Sequence, residues 1–167
     1  MKTRLAILAA FALILSGCGI YSFSGTSIQP DEHTICIDFF EYKAMTVNPT
    51  LSNDLTEALR TQFRKMTKLE QVEMDGDLEI SGEITGYDVR AAAITANEVA
   101  AQNRLTVTIK VTFNDNKYPE NSFSNKSFSQ YADYDSTNSL DAVQSTLCAE
   151  IIDKLVDDIF NATVAQW

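Results

Sequence analysis

Side chains able to do covalent or acid–base chemistry are few in this chain, and they are widely scattered. The one histidine, His33, lies beside Asp31 and Glu32 in a stretch that precedes the first predicted strand. Neighbours in sequence seldom converge on one ion, so this trio reads as a solvated acidic loop. No Cys/His spacing of a metal site occurs, and the expected metal complement is none. Ser122, Ser124, Ser127 and Ser129 lack the Gly-x-Ser-x-Gly elbow that would expose a nucleophile, and no second histidine exists to serve as its base. Asp153 and Asp157 stand one helical turn apart, with Asp158 adjacent. A carboxylate pair that works as acid and base needs unlike environments in a cleft, whereas these fall on the polar side of an amphipathic helix. No glycine-rich phosphate loop is present. The expected catalytic set and cofactor set are therefore both empty, and the chain does not read as an enzyme.

The remaining reactive group is a thiol with a distinctive address. Lys2 and Arg4 form a basic start, Leu5 to Leu15 an apolar run too short to span a bilayer, and Ser16-Gly17 lead to Cys18. That order reads as a cleaved secretory signal over residues 1–17. Leu15-Ser16-Gly17-Cys18 is similar to the lipobox of bacterial lipoproteins, in which the cysteine thiol takes a diacylglyceryl group and the signal is cut just before it. The resemblance makes Cys18 the lipidation site and the first residue of the exported chain. Acyl chains hold a protein at a membrane surface without spanning it, since each buried methylene contributes about 0.8 kcal/mol. Gly19 and Ile20 follow, not the Asp that retains lipoproteins at the inner membrane, which favours the outer membrane.

Lys2 and Arg4 are the only charges of the signal, so its removal takes the net charge from −10 to −12. So acidic a body argues against nucleic acid as a partner and against adhesion to anionic surfaces. Cys36 and Cys148 also remain. An oxidising compartment permits a disulfide between them if the helix bearing Cys148 packs over the strand bearing Cys36; otherwise they are two buried thiols. Asp135-Ser136-Thr137 resembles an Asp-Ser/Thr-X sequon for O-glycosylation of exported bacterial proteins, with Ser136 as acceptor. It also reads as a polar turn.

Periodicity supplies the scaffold. Residues 18–34 read as a lipidated tether, punctuated by Ser22, Ser24, Gly25, Ser27 and Pro30. Ile35 to Tyr42 is a first strand. Asn48-Pro49 predicts a helix start, and Leu51, Leu55, Leu59, Phe63 and Met66 form its apolar stripe. After the Asp75-Gly76-Asp77 turn, Leu78, Ile80, Gly82 and Ile84 alternate with Glu79, Ser81, Glu83 and Thr85. Tyr87 to Ala101 holds an uncharged hairpin tip near 92–97. Leu105 to Phe113 alternates again, with Arg104, Thr106, Thr108, Lys110 and Thr112 on the second face. Phe128 to Tyr134 is a fourth strand. A helix capped by Asn138 or Ser139 closes the chain, with Leu140, Val143, Leu147, Ile151, Leu155 and Ile159 as its stripe. The expected fold is α+β, β-α-β-β-β-α: a two-layer sandwich over 35–167. Its four-stranded, mostly antiparallel sheet has two helices on one face and an open polar face.

Four stretches, together with this order, resemble the LptE family of lipopolysaccharide-assembly lipoproteins, its Bacteroidota branch most. They are Cys18-Gly19-Ile20-Tyr21-Ser22-Phe23-Ser24-Gly25, Gly82-Glu83-Ile84-Thr85-Gly86-Tyr87, Ala101-Gln102-Asn103-Arg104-Leu105-Thr106-Val107 and Ser127-Phe128-Ser129-Gln130-Tyr131-Ala132-Asp133-Tyr134. The resemblance implies a non-enzymatic plug of the LptD β-barrel translocon. Such a plug is anchored in the outer membrane with its body facing the periplasm and barrel lumen, and it supports assembly of the barrel and delivery of lipopolysaccharide. No basic motif for lipopolysaccharide is matched residue by residue; Arg104 and Lys110 on the open face, with Arg90 near the tip, are the candidates for lipopolysaccharide or partner contact. A free-standing periplasmic binding module for a lipid or envelope polymer is the alternative, and would need a ligand-sized apolar pocket.

Overall fold

A computed structural model describes residues 27–92 and 101–165. Cys18 and residues 93–100, which hold most of the expected tip, lie outside them. The element order is β1 (Thr34–Ile37), β2 (Glu41–Tyr42), α1 (Leu51–Met66), β3 (Glu70–Val72), β4 (Leu78–Ala91), β5 (Gln102–Asp115), β6 (Phe123–Asp135) and α2 (Leu140–Thr163). The α+β class, the two helices and the three long strands match the sequence reading. The sheet is larger and more mixed than expected. It has six strands in the order β3-β1-β4-β5-β6, with β2 also on β4. Only β4–β5 and β5–β6 are antiparallel; β1 runs parallel to both β3 and β4, and β2 runs parallel to β4.

Two local causes account for the difference. The expected first strand is broken in two, because Phe40 turns inward at full burial between β1 and β2. Its ring lies over Gly82, where a Cβ would stand 2.4 Å from a ring carbon, so only glycine admits it. The added strand, β3, is three residues long and too short to show alternation. Helix α1 also starts later than Asn48-Pro49 predicts. Thr50 is its N-cap, and Asn48 is buried with its Oδ1 accepting the Thr50 amide at 3.2 Å. Met66, expected in the apolar stripe, is exposed, while Leu51, Leu55, Leu59 and Phe63 are buried.

The alternation of β4 changes phase at a bulge between Ile84 and Gly86. Leu78, Ile80 and Ile84 face the helices before it; Tyr87 does so after it, opposite Val107. Leu105, Val107, Ile109, Val111 and Phe113 form the central row of the core. Helix α2 buries more than the expected stripe, adding Cys148, Ile152, Val156 and Phe160, because it packs on both α1 and the sheet. The Phe63 and Phe160 rings meet edge-on at 5.1 Å between the helices.

The two ends of the sheet differ. At one end the incoming chain is bound to the body: the Ser27 amide donates to the Val164 carbonyl at 2.6 Å, and the Tyr118 hydroxyl to the Asp31 carboxylate at 3.0 Å. At the other end β4 and β5 lead toward the hairpin tip. At about 3.4 Å per residue, each 14-residue strand covers roughly 45 Å.

Candidate functional site

Register fixes what the open face carries. Residues opposite one another in a ladder point to the same side. From the tether end the rows are Ser81–Thr112, Glu83–Lys110–Ser127, Gly86–Thr108–Ser129, Asp88–Thr106–Tyr131 and Arg90–Arg104–Asp133. This is the hydroxyl-rich polar face that the alternation predicts. The Thr108 and Ser129 hydroxyls are hydrogen-bonded at 3.0 Å.

The three basic candidates share the face but not the same state. Arg104 is engaged: its Nε and Nη2 donate to the two oxygens of Asp133 at 2.7 and 2.8 Å, and its guanidinium lies 3.6 Å from the centre of the Tyr131 ring. The hydrogen bond from Arg104 holds the Asp133 carboxyl below its ordinary range, and the same bond pushes the Arg104 guanidinium up. Arg104 is thus a neutralised, stacked group and not a free cation. Lys110 is exposed without a side-chain hydrogen bond or ion pair among the described residues. Its cross-strand neighbour Glu83 is held at 3.1 Å by Lys43, which also holds Glu41 at 2.9 Å. Arg90 is exposed at the far end of β4, next to Arg104 in the ladder. The sequence reading missed Tyr131 and Asp133 as partners of Arg104. Their alternation with the buried Ala132 and Tyr134 was the available signal.

Cys36 and Cys148 are both buried free thiols, so the disulfide considered from sequence is not formed. Register gives the reason. Cys36 is opposite Glu79 and Val72, on the side of the sheet away from the helices. Its Sγ lies 3.2 Å from the Glu73 carbonyl. Cys148 projects from α2, where Asn48 Nδ2 donates to its Sγ at 3.4 Å and the Tyr87 hydroxyl is 3.9 Å away. Burial raises the Cys148 thiol, and burial likewise raises the Tyr87 hydroxyl. Ser136 is exposed in the turn between β6 and α2, where the Asp135 carboxylate accepts the Thr137 amide and hydroxyl at 2.8 and 2.6 Å.

Several of the carboxylates weighed for a metal or acid–base site are engaged elsewhere: Asp31 accepts the Tyr118 hydroxyl, and Glu32 the Gln29 amide. The His33 amide donates to Asp77 at 2.7 Å, and Asp77 also takes Lys117 at 2.9 Å. Those partners, the His33 amide first, hold the Asp77 carboxyl far below its ordinary value. Asp157 accepts Gln62 and Asp158 accepts Gln130. Among the described residues no three His, Cys, Asp or Glu side chains gather as a metal site. A recess of about 490 Å³ between the helices has a mixed lining, with Asn48, Thr50, Asp54 and Asp153 beside Ala58, Cys148 and Ile152.

The described residues thus form an α+β domain with two helices and a six-stranded mixed sheet, one of whose faces is open, polar and joined into cross-strand rows. The LptE family model, described as lipopolysaccharide-assembly, matches residues 33–163, and the chain belongs to that family. A comparison with curated protein sequences finds no match. Among solved structures, the hypothetical protein CT253 from Chlamydia trachomatis is similar at TM-score 0.53 and 7% identity, covering 79% of this chain and 98% of that one. A putative neuraminyllactose-binding hemagglutinin homolog from Helicobacter pylori is similar at TM-score 0.50 and 10% identity, over 84% and 88% of the two chains. A minor lipoprotein from Acinetobacter baumannii aligns at TM-score 0.40 and 15% identity, over 74% and 91%. At these identities the first two likenesses show the fold.

Proposed function

We propose that this chain is an outer-membrane lipoprotein, acylated at Cys18, that plugs an LptD-type β-barrel, assists its assembly and supports lipopolysaccharide delivery. The observation that carries the reading is the family match over 33–163 in a domain whose sheet leaves one long polar face uncovered. A barrel lumen is polar, and a hydroxyl-rich face on which Glu83, Arg104 and Asp133 are already paired suits contact with it. Entry of the chain at one end of the sheet and the hairpin at the other also fit this role. A membrane anchor raises the effective concentration of such a plug near its barrel.

Lys110 and Arg90 are the side chains left for an anionic ligand or a barrel carboxylate, with Arg104 acting through its fixed pair. A body at −12 limits direct affinity for lipopolysaccharide and favours protein contact as the main role. Glycosylation at Ser136 would put sugar beside the hairpin end, and intact-mass measurement of the exported protein tests it.

Affinity purification of the intact lipoprotein from detergent-solubilised envelopes tests the proposal. A stoichiometric large β-barrel protein is the expected co-eluting species. Recovery of the lipoprotein alone under gentle detergent and native expression overturns the plug, and bound lipid would then be sought for the binding-module reading.

A further inference from the structure

The edges of this sheet are not treated alike. Strand β3 closes one side in only three residues. The outer edge of β6 is interrupted by Asn125, whose φ is +52°, and by the adjacent Lys126. Lys154 Nζ from α2 also donates to the Tyr131 carbonyl on β6 at 3.0 Å. A short strand, backbone irregularity and lysines are the devices that keep strange strands from adding to an edge.

Past the bulge at Ile84–Gly86, the outer edge of β4 from Tyr87 to Ala91 carries no lysine and no residue of positive φ. Strand β2 covers β4 only through Tyr42 opposite Ile84, and the Lys43 amide to the Ile84 carbonyl is the last bond. The Ala92 amide donates to Gln102 on the β5 side, which sets the phase of the ladder. The N–H and C=O groups of Tyr87, Val89 and Ala91 therefore point outward. Among the described residues no strand pairs with them. Beside this edge runs the loop from Lys43 to Asn48, which ends at Cys148 near Tyr87. Val89 on the edge itself is 41% exposed.

The geometry points to the outer edge of β4 from Gly86 to Ala91 as a docking edge that takes one extended segment of the barrel partner as an added strand. β2 already shows what the edge accepts, a parallel strand, and the vacancy continues that pairing. Only another strand satisfies successive outward main-chain groups together. The chemistry of the segment follows from its neighbours. Residues on the helix side would meet Val89 and would be apolar; alternate residues would lie beside Asp88 and Arg90 and would be polar or charged. The owner of the segment rests on the barrel reading above.

Proline at Val89 removes one outward N–H without touching the bonds to β5. The test compares barrel recovery with the full-length lipoprotein carrying Val89→Pro, Ala91→Pro or Val89→Thr, each with its Tm. Both proline variants are expected to lose barrel at least tenfold at unchanged Tm, while Val89→Thr, which keeps the N–H, stays within about twofold. Wild-type recovery by a folded proline variant overturns the docking edge and leaves the plug standing. If Val89→Pro does not fold, Ala91→Pro decides. Absence of barrel from the wild-type preparation overturns both.

Discussion

The tether end and the hairpin end of the sheet are built to different ends. Near the tether, polar groups are tied down by name: Asp77 binds two amides and Lys117, and Asp115, 96% buried, accepts from Lys117, Tyr118 and Asn121. Phe40 and Gly82 interlock, and both helices reach the strands. Toward the hairpin, α2 still covers one face of β4, β5 and β6, with Cys148 at Tyr87 and Lys154 at Tyr131, but Val89 is exposed and the β4 edge is unpaired among the described residues. Long-range polar contacts are concentrated where the chain enters, and the unpaired strand edge lies toward the hairpin. Such a division lets a partner engage one end without cost to the fold.

Substitutions can break that contrast. The largest loss is expected from Phe40→Ala, which empties a fully buried aromatic site and should cost about 3–5 kcal/mol in denaturant unfolding. An equal loss from Val89→Ala at the far end would refute the division. Next is Asp77→Asn, which keeps the shape but weakens a charged acceptor. A cost of about 1 kcal/mol at pH 7 is expected once solvent screening is allowed for. Because the folded carboxyl is depressed, its contribution is present above the unfolded value near 3.8 and is lost as pH falls through the folded one. The variant should therefore converge with wild type in acid melts.

Glu32→Gln tests the same end in the opposite direction. Glu32 is 94% buried; its Oε2 accepts the Gln29 amide at 2.7 Å, and its Oε1 has no partner. Burial raises its carboxyl, and the neighbouring Asp115 and Asp31 add to the effect. A raised carboxyl imposes no charge cost below its unfolded value near 4.5, and ionisation becomes costly as pH rises through the folded value. Gln removes that cost, so Tm should rise by about 2–4 °C at pH 8 and be unchanged at pH 4. A fall at pH 8 would show the carboxylate to be stabilising. The smallest effect on the fold is expected on the open face. Lys110→Glu should leave Tm unchanged and reduce barrel recovery several-fold, whereas Arg104→Ala should act on recovery less, its charge being already paired. The reverse order would move the contact from Lys110 to the Arg104–Asp133–Tyr131 group.

The long elements were legible because their burial is one-sided. Strict alternation from Leu105 to Phe113 and the stripe from Leu51 to Phe63 each admit one geometry. Other features left no mark in the pattern. The Glu70–Val72 strand exists because it meets Thr34 to Cys36 in parallel, a pairing contributed by a distant segment. The bulge at Ile84–Gly86 depends on how β5 sits opposite β4, and it alone turns Tyr87 inward. The candidate face was readable as a face, while the states of its cations were not, since Asp133 lies 29 residues from Arg104.

By itself the sequence determined the signal-like start and Cys18, the acidic balance, the type of each long element and which side of β5 is polar. These follow from local composition and periodicity, which no distant residue can change. Tertiary structure decided the parallel half of the sheet, the separation of Cys36 from Cys148, the neutralisation of Arg104 and the vacancy along β4. Each of these depends on which segment lies across from which, and that is set by packing over tens of residues.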